Sequence, residues 1–553
     1  MDGSWQAGGR WSAGGYRGTL LGWKAKWIIP LAVTLGEAIN IVRELHEDTA
    51  SGQERLLGKI MAFLQQQSEQ LQPMNMRAED SAHMPVWMPS HPVEGVAEHI
   101  QPSRKIRKVA APHTKSHDIV GRLRASWPGQ LYISPLKQYV VVRRIVRWIW
   151  RNGYPIYVTH IATRLFNREA KRWRQLTKLS EFVKTRNIPT IQVAKAALVE
   201  TPAPKVFPAC DQDYLVSPHD RYIFPEIYGV TIKNAMTYGG TNLILADGEV
   251  VCHDLYDFQR DYTSEELNGR ILIAPKSMRI RWLLHDDAPE SIPVAATFVD
   301  ACALNYAHWL TEVLPRIALF CADERFKDVP IVVNDGPHKN IMESLFLVAG
   351  ANRKIITLSI GRALSVNELY LISVTGYVPF ERRTNKLSGH SHGLFSPQSF
   401  EMLRNHVSGL RGVEPEAWPE KIFLRRNSGT RKITNTTEIE KLMVARGYVI
   451  VEPDKLTFLQ QIQLFNNAKA IVAPTGAALS NAIFCKPGTR VAILMAKHEN
   501  MIYNYWLNML APLQVKVFYV LGSIVKNQDR GIHGDFFVNK VDLIDLLEVF
   551  GKK

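Results

Sequence analysis

From residue 293 onward, short apolar runs alternate with amphipathic stretches. AATFVDA, PIVVND, KIITLS and LYLISV are rich in β-branched residues and too short for helices, so they predict strands. The stretches after them predict helices at 308–321 and 341–348, then a break at 384–396 and a helix at 397–409. A second alternating series starts at KIFLRR and runs through YVIVEP, AIVAPTG, RVAILMA and VKVFYVLG. Its helices are predicted at 438–446, 456–467 and 477–484. Apolar runs without strict alternation fit parallel strands covered on both faces. Two such series in tandem predict an α/β chain with two Rossmann-like domains facing a cleft, where ligands sit at the carboxyl ends of the strands.

Upstream the pattern changes. Over 222–275, GVTIKNAMTYGG, TNLILADGEVVCHD and RILIAP set β-branched residues between Gly and Asp-Gly turns, with Asp247-Gly248 a hairpin signal. This predicts a small β-rich region leading into the larger fold. Residues 54–71 predict a helix with Leu57, Ile60, Leu64 and Leu71 near heptad spacing, over too few heptads for a coiled coil. Residues 72–92 read as a linker. The expected organisation is a partly helical extension at 1–100 and a basic helical segment at 101–200. A first half of the main fold follows at 201–410, comprising the β-rich lead-in and one Rossmann-like domain, and a second Rossmann-like domain occupies 411–553.

Composition excludes several classes. The chain has 553 residues, 46% of them hydrophobic and 22% charged, a globular balance rather than that of a disordered or collagenous chain. Cys210, Cys252, Cys302, Cys321 and Cys485 are odd in number and lack CxxC spacing, which argues against a disulfide framework and a thiolate zinc site. The N-terminus lacks signal-peptide order, and the apolar run at 27–42 contains Pro30, Glu37 and Asn40, too short and polar for a bilayer span. A cytoplasmic protein, peripheral on the inner face of the membrane, is expected. The charge is uneven. Residues 101–180 hold 18 Lys/Arg against Asp118 and Glu169, more than the whole-chain excess of +15. YVVVRRIVRWIW at 139–150 and RLFNREAKRWR at 164–174 set arginines beside tryptophans. Across 139–175 this suits an anionic membrane surface, and equally a solvated basic helix packed on its neighbour. Nucleic acid is the weaker third reading, since no zinc-finger spacing or RNA-binding aromatic signature accompanies the charge.

Three constellations carry chemistry. In Asn305-Tyr-Ala-His308-Trp-Leu-Thr-Glu312, Asn305 is a good N-cap, and Asn305, His308 and Glu312 share a helix face. A carboxylate one turn from a histidine fixes its tautomer and raises its basicity, as a general base requires; a surface ion pair is the plainer alternative. Next, Phe423-Leu-Arg425-Arg426-Asn427-Ser428-Gly429-Thr430-Arg431-Lys432 gathers four cations at a strand end, suited to the phosphates of a nucleotide diphosphate or forming a plain basic turn. Third, Pro474-Thr475-Gly476-Ala477-Ala478-Leu479-Ser480-Asn481 runs from a buried strand through a small-residue turn into a helix. That suits an anion or tight strand–helix packing. It has neither Walker nor GxGxxG spacing.

The ordered set resembles glycosyltransferase family 61, in its bacterial branch of capsular polysaccharide biosynthesis proteins. The resemblance rests on N-Y-x-H-W-x-x-E-x-L-P-R, the R-R strand end with R-x-I-x-N, E-P-x-x-L-x-x-x-x-Q and G-A-x-L-S-N-x-x-F, and on the tail from His533. It spans residues 230–547. It implies a GT-B fold and metal-independent, inverting transfer with no cofactor, from a nucleotide-sugar donor to a glycan or lipid-linked glycan acceptor in surface polysaccharide synthesis. By position, Arg425, Arg426, Arg431, Lys432, Thr475, Gly476, Ala477, Ala478, Leu479 and Asn481 look like donor contacts, and Asn305, His308 and Glu312 like the catalytic cluster. The family commonly has a histidine at the position of Thr475 and a glycine at that of Ala478. The alternative reading is therefore a non-catalytic nucleotide- or sugar-binding protein of polysaccharide assembly.

Overall fold

The computed structural model describes residues 84–88, 106–109, 146, 148–149, 153 and 172–551, except 217–220, 283, 285, 287, 380, 384–392, 409–417, 428–429, 499–500, 503 and 526–532. The predicted helix at 54–71, most of the basic stretch at 139–172 and most of the predicted break at 384–396 lie outside the described residues. The described chain from His83 onward is one compact mixed α/β unit.

Two sheets organise it. The first has 12 strands. Ile106–Val109, Ile355–Leu358, Ile331–Asn334, Glu290–Thr297 and Ala363–Ile372 lie parallel in that spatial order. Ile331–Asn334 and Ile355–Leu358 are buried at every position, as strands covered on both faces must be. Ala363–Ile372 then pairs antiparallel with Ile227–Tyr238, and the hairpin strands continue the same sheet. The Asp247-Gly248 turn forms as expected, with φ of 50° and 77°, the left-handed pair of a two-residue hairpin.

The second sheet has seven strands. Val449–Val451, Lys421–Leu424, Ala470–Pro474, Arg490–Ala496 and Lys516–Ile524 run parallel. Helices Thr436–Ala445 and Phe458–Asn467 form between its strands, the latter fixed by a Thr457–Gln460 capping box.

Three expectations are corrected. The β-rich stretch is not a separate lead-in, because the 12-residue strand Ile227–Tyr238 stitches it to the parallel strands. Nor is 101–200 a helical segment where it is described. Ile106–Val109 forms a sheet edge, and Trp173–Lys178 lies between Glu249–Cys252 and Arg279–Trp282, with Leu176 fully buried. Only Leu179–Thr185 and a few residues near Trp148 are helical. Finally, Lys205–Phe207 joins the second sheet beside Lys516–Ile524, so the expected boundary near 410 does not separate the two sheets' strands. The expected linker is packed where described: Trp87 N–H donates to the Ile450 carbonyl, and its ring lies 5.3 Å from that of Trp418.

One apolar cluster runs from the first sheet's helices to the second sheet, through Phe298, Trp309, Leu345, Phe458, Phe484 and Tyr519. Among the described residues no helix is long and apolar enough to cross a membrane.

Candidate active site

The helix after strand Glu290–Thr297 begins as predicted. The Asn305 side chain accepts from Ala307 N–H at 3.0 Å, so Asn305 is a cap. The helix then widens into a π turn over Trp309–Val313 before continuing as Leu314–Cys321. Pro315 supplies a reason: lacking an N–H, it leaves the Thr311 carbonyl without its usual α-helical donor. Within this turn His308 Nδ1 and Glu312 Oε1 are 2.5 Å apart. Val378 N–H donates to Glu312 Oε2 at 3.4 Å, and Arg316 Nε donates to the Glu312 carbonyl at 2.8 Å.

Both members of the pair hold protons more tightly than usual. Burial alone would lower His308, but the Glu312 charge and hydrogen bond, with Asp300 behind them, push it up. Burial pushes Glu312 up against the opposing pull of His308. A carboxylate facing Nδ1 selects the tautomer protonated there and leaves Nε2 as the basic nitrogen.

The strand-end cations divide. Arg425 donates to Glu440 through Nε and Nη2 at 2.6 and 2.7 Å, to Glu452 at 3.0 Å and to the Met84 carbonyl at 2.8 Å. Glu440 is fully buried. The guanidinium expected to contact a donor is thus enclosed by two carboxylates. Arg426 instead donates to the Thr430 carbonyl at 2.9 Å and lies over Gly476, where a Cβ would overlap its Nη1. Arg431, in the left-handed region at φ 59°, is pushed down to about 10 by burial and by the Arg426 charge. His533, exposed on one side, is pushed down to about 4 by partial burial and by the Arg431 and Arg426 charges. Three cationic or potentially cationic groups therefore repel one another, and a bound anion would relieve that repulsion. Lys432 is exposed, and its backbone N–H donates to Asp535 at 2.9 Å. Ser428 and Gly429 lie outside the described residues. At the carboxyl ends of Lys421–Leu424 and Ala470–Pro474 a 290 Å³ cavity is lined by Arg425, Arg426, Asn427, Lys432 and Pro474.

The small-residue turn enters a 3₁₀ helix, Ala477–Phe484, rather than an α-helix. Ala477 and Ala478 are partly covered and Leu479 is buried, its N–H bonded to the Gly476 carbonyl. Thr475 is 2% exposed, and its hydroxyl accepts from the Trp506 indole at 3.2 Å. Asn481 faces the other cluster: Tyr306 donates to its Oδ1 at 2.8 Å, and its Nδ2 donates to Gln461 at 2.7 Å. The helix bearing His308 is thereby tied to the small-residue turn.

Tyr505, packed against Phe395 and Trp506, feels the charges of both clusters, and nothing in the sequence singled it out. Burial and the Glu312 charge push its hydroxyl up, while Ser480 and the Arg431 charge oppose them. It therefore lies within electrostatic reach of both Glu312 and Arg431. Asp300, also missed, accepts from Asn242 at 2.8 Å and faces Arg316 at 3.6 Å. His533 stood in the quoted tail without a role. Among the described residues no group of three or more His, Cys, Asp or Glu is placed to hold a metal ion.

No curated protein matches the chain. Residues 306–492 match the family model described as Glycosyltransferase 61, a span that opens at Tyr306 and includes His308, Glu312, Arg426, Arg431 and the small-residue turn. The match supports glycosyltransferase family 61 and indicates glycosyltransferase activity, with a sugar donor and a glycan acceptor.

Proposed function

We propose that the chain is an inverting, metal-independent glycosyltransferase of GT-B arrangement, moving a sugar from a nucleotide-sugar donor to a glycan in capsular or other surface polysaccharide synthesis. The observation that carries this reading is the hydrogen bond from Tyr306, on the turn that bears His308 and Glu312, to Asn481, in the short helix that follows Gly476 beneath Arg426. A proton acceptor and an anion site thus lie on elements that pack against each other, as a displacement reaction needs.

In this mechanism His308 Nε2 takes the proton of the acceptor hydroxyl while Glu312 holds Nδ1–H. The hydroxyl oxygen attacks the anomeric carbon opposite the nucleotide. Arg426 and Arg431, with N–H groups of Gly476, Ala477 and Ala478, stabilise the departing diphosphate. Donor contact passes from Arg425 to these neighbours, because Arg425 is held by Glu440 and Glu452. The basic stretch 139–175, with Trp148 67% and Ile149 55% exposed, would hold the enzyme at an anionic inner membrane face near lipid-linked acceptors.

A thermal-shift screen of the full chain against nucleotide diphosphates and nucleotide sugars, with and without EDTA, tests this. One nucleotide class should stabilise the protein by about 2.7 kcal/mol at 100-fold excess over its Kd, unaffected by EDTA. Arg431→Ala should abolish that shift and cost roughly 2–4 kcal/mol of transition-state stabilisation. No response to any nucleotide would refute the donor site.

A further inference from the structure

Behind the His308–Glu312 pair, at the carboxyl ends of Glu290–Thr297 and Ala363–Ile372, lies a 70 Å³ cavity lined by Glu312, Arg316, Asp300, Glu265, His253 and Tyr256, among others. At ~30 Å³ per water it has room for about two waters. Two polar atoms in its wall have no partner among the described residues: Glu265 Oε2 and His253 Nδ1. Glu265 is 0% exposed and is held through Oε1 by the Thr241 hydroxyl at 2.6 Å. A buried carboxyl oxygen without a donor carries an unrelieved desolvation cost, and a polar cavity of this size is where ordered water removes that cost.

Glu312 gives the cavity a role. One of its oxygens faces His308, and its side chain forms part of the cavity wall. Asp300 also lines the cavity, its charge acting on Glu265, on Glu312 and on His308. Arg270 and Asp300 act on Glu265 from neighbouring elements, and Glu265 in turn acts on Tyr256 and Cys302. His253 is neutral near pH 7: burial and the Arg316 and Lys178 charges push it down to about 3, so it can accept from water without competing for the proton.

We infer that this cavity is a water-filled proton path from Glu312 to Glu265, which carries the proton taken from the acceptor inward, away from the bound donor. This rests on the proposed transferase reading. The acceptor O–H bond breaks and its proton passes to His308 Nε2, while its electron pair forms the new C–O bond. The Nδ1 proton moves to Glu312, then to a cavity water, which passes one of its own to Glu265 Oε2. Glu265 becomes a carboxylic acid; once product has left, its proton returns by the same water and Glu312 to His308 Nδ1 while Nε2–H is released to solvent, which restores the starting tautomer. Burial holds Glu265 up at about 7, matched to repeated loading and unloading at neutral pH. Glu265 is thus a positioning residue, acting through Glu312.

The test needs no substrate, so its failure would leave the transferase reading standing. The full chain, labelled with ¹⁵N-histidine and with the His308 signal assigned by its loss in His308→Gln, is titrated from about pH 5 to 9. The expected result is a second inflection in the His308 curve, at the midpoint where a carboxylic-acid infrared band disappears, and loss of both in Glu265→Gln. An identical His308 curve in the wild-type and Glu265→Gln proteins overturns the path. If Glu265→Gln fails to fold, Thr241→Val serves instead. Removing the hydroxyl that holds the carboxylate should move the second inflection to higher pH, and an unmoved curve overturns the proposal.

Discussion

Adjacent arginines at one strand end have opposite duties. Successive side chains of a strand point to opposite faces, so Arg425 turns toward Glu440 and Glu452 while Arg426 turns toward Gly476. Arg425→Ala should leave Glu440, fully buried, without its cation. Breaking such a pair costs about 3–5 kcal/mol, to be read as a lower urea midpoint. Nucleotide affinity of the folded fraction should be unchanged, whereas Arg431→Ala should show the reverse. Sequence alone brought both arginines to the site and could not separate them, because Glu440 lies on the next helix and carries no motif. Glu265 and His253 were illegible for a related reason. They come from a short helix and a strand end far from any phosphate-like or histidine–carboxylate spacing, and only the sheet order brings them behind Glu312.

At the scale of elements, the turn around His308 departs from regular helix at a point the sequence marks. Pro315 was visible in the L-P-R string, but the helix was predicted to run unbroken. Its missing N–H widens the turn that sets His308 against Glu312. Pro315→Ala restores a donor for the Thr311 carbonyl and allows the turn to close to α geometry, which rotates neighbouring positions against one another. We expect an unchanged or higher melting temperature together with a fall of at least tenfold in kcat, a division typical of strain kept at a working site. Parallel fall of both would mean the proline serves only stability. Most elements were legible because runs such as IVVN, IITL and AIVAP have an environment apolar on both faces. Ile106–Val109 and Trp173–Lys178 were not, because basic residues at strand edges and cation–aromatic contacts such as Arg281 over Trp173 give no apolar period.

For the molecule as a whole, stability should carry the signature of the buried carboxyl. Glu265 is raised from 4.5 to about 7 in the folded protein. The folded state then binds more protons than the unfolded one across that window, so the contribution is complete below about pH 4.5 and is lost as pH rises through 7. The swing is on the order of 3 kcal/mol. The melting temperature of the wild type should fall over this range relative to that of Glu265→Gln, measured by scanning calorimetry; parallel curves would place the ionised form in a well-solvated setting.

The strand Lys205–Phe207 has a consequence for how the chain is made. It leaves the ribosome long before Lys516–Ile524, the strand it lies against, so it has no partner until synthesis is nearly finished. A gene cut at codon 410 would therefore hand one fragment an orphan strand and the other a sheet with a bare flank, and recovery of soluble protein would depend on the two being made together.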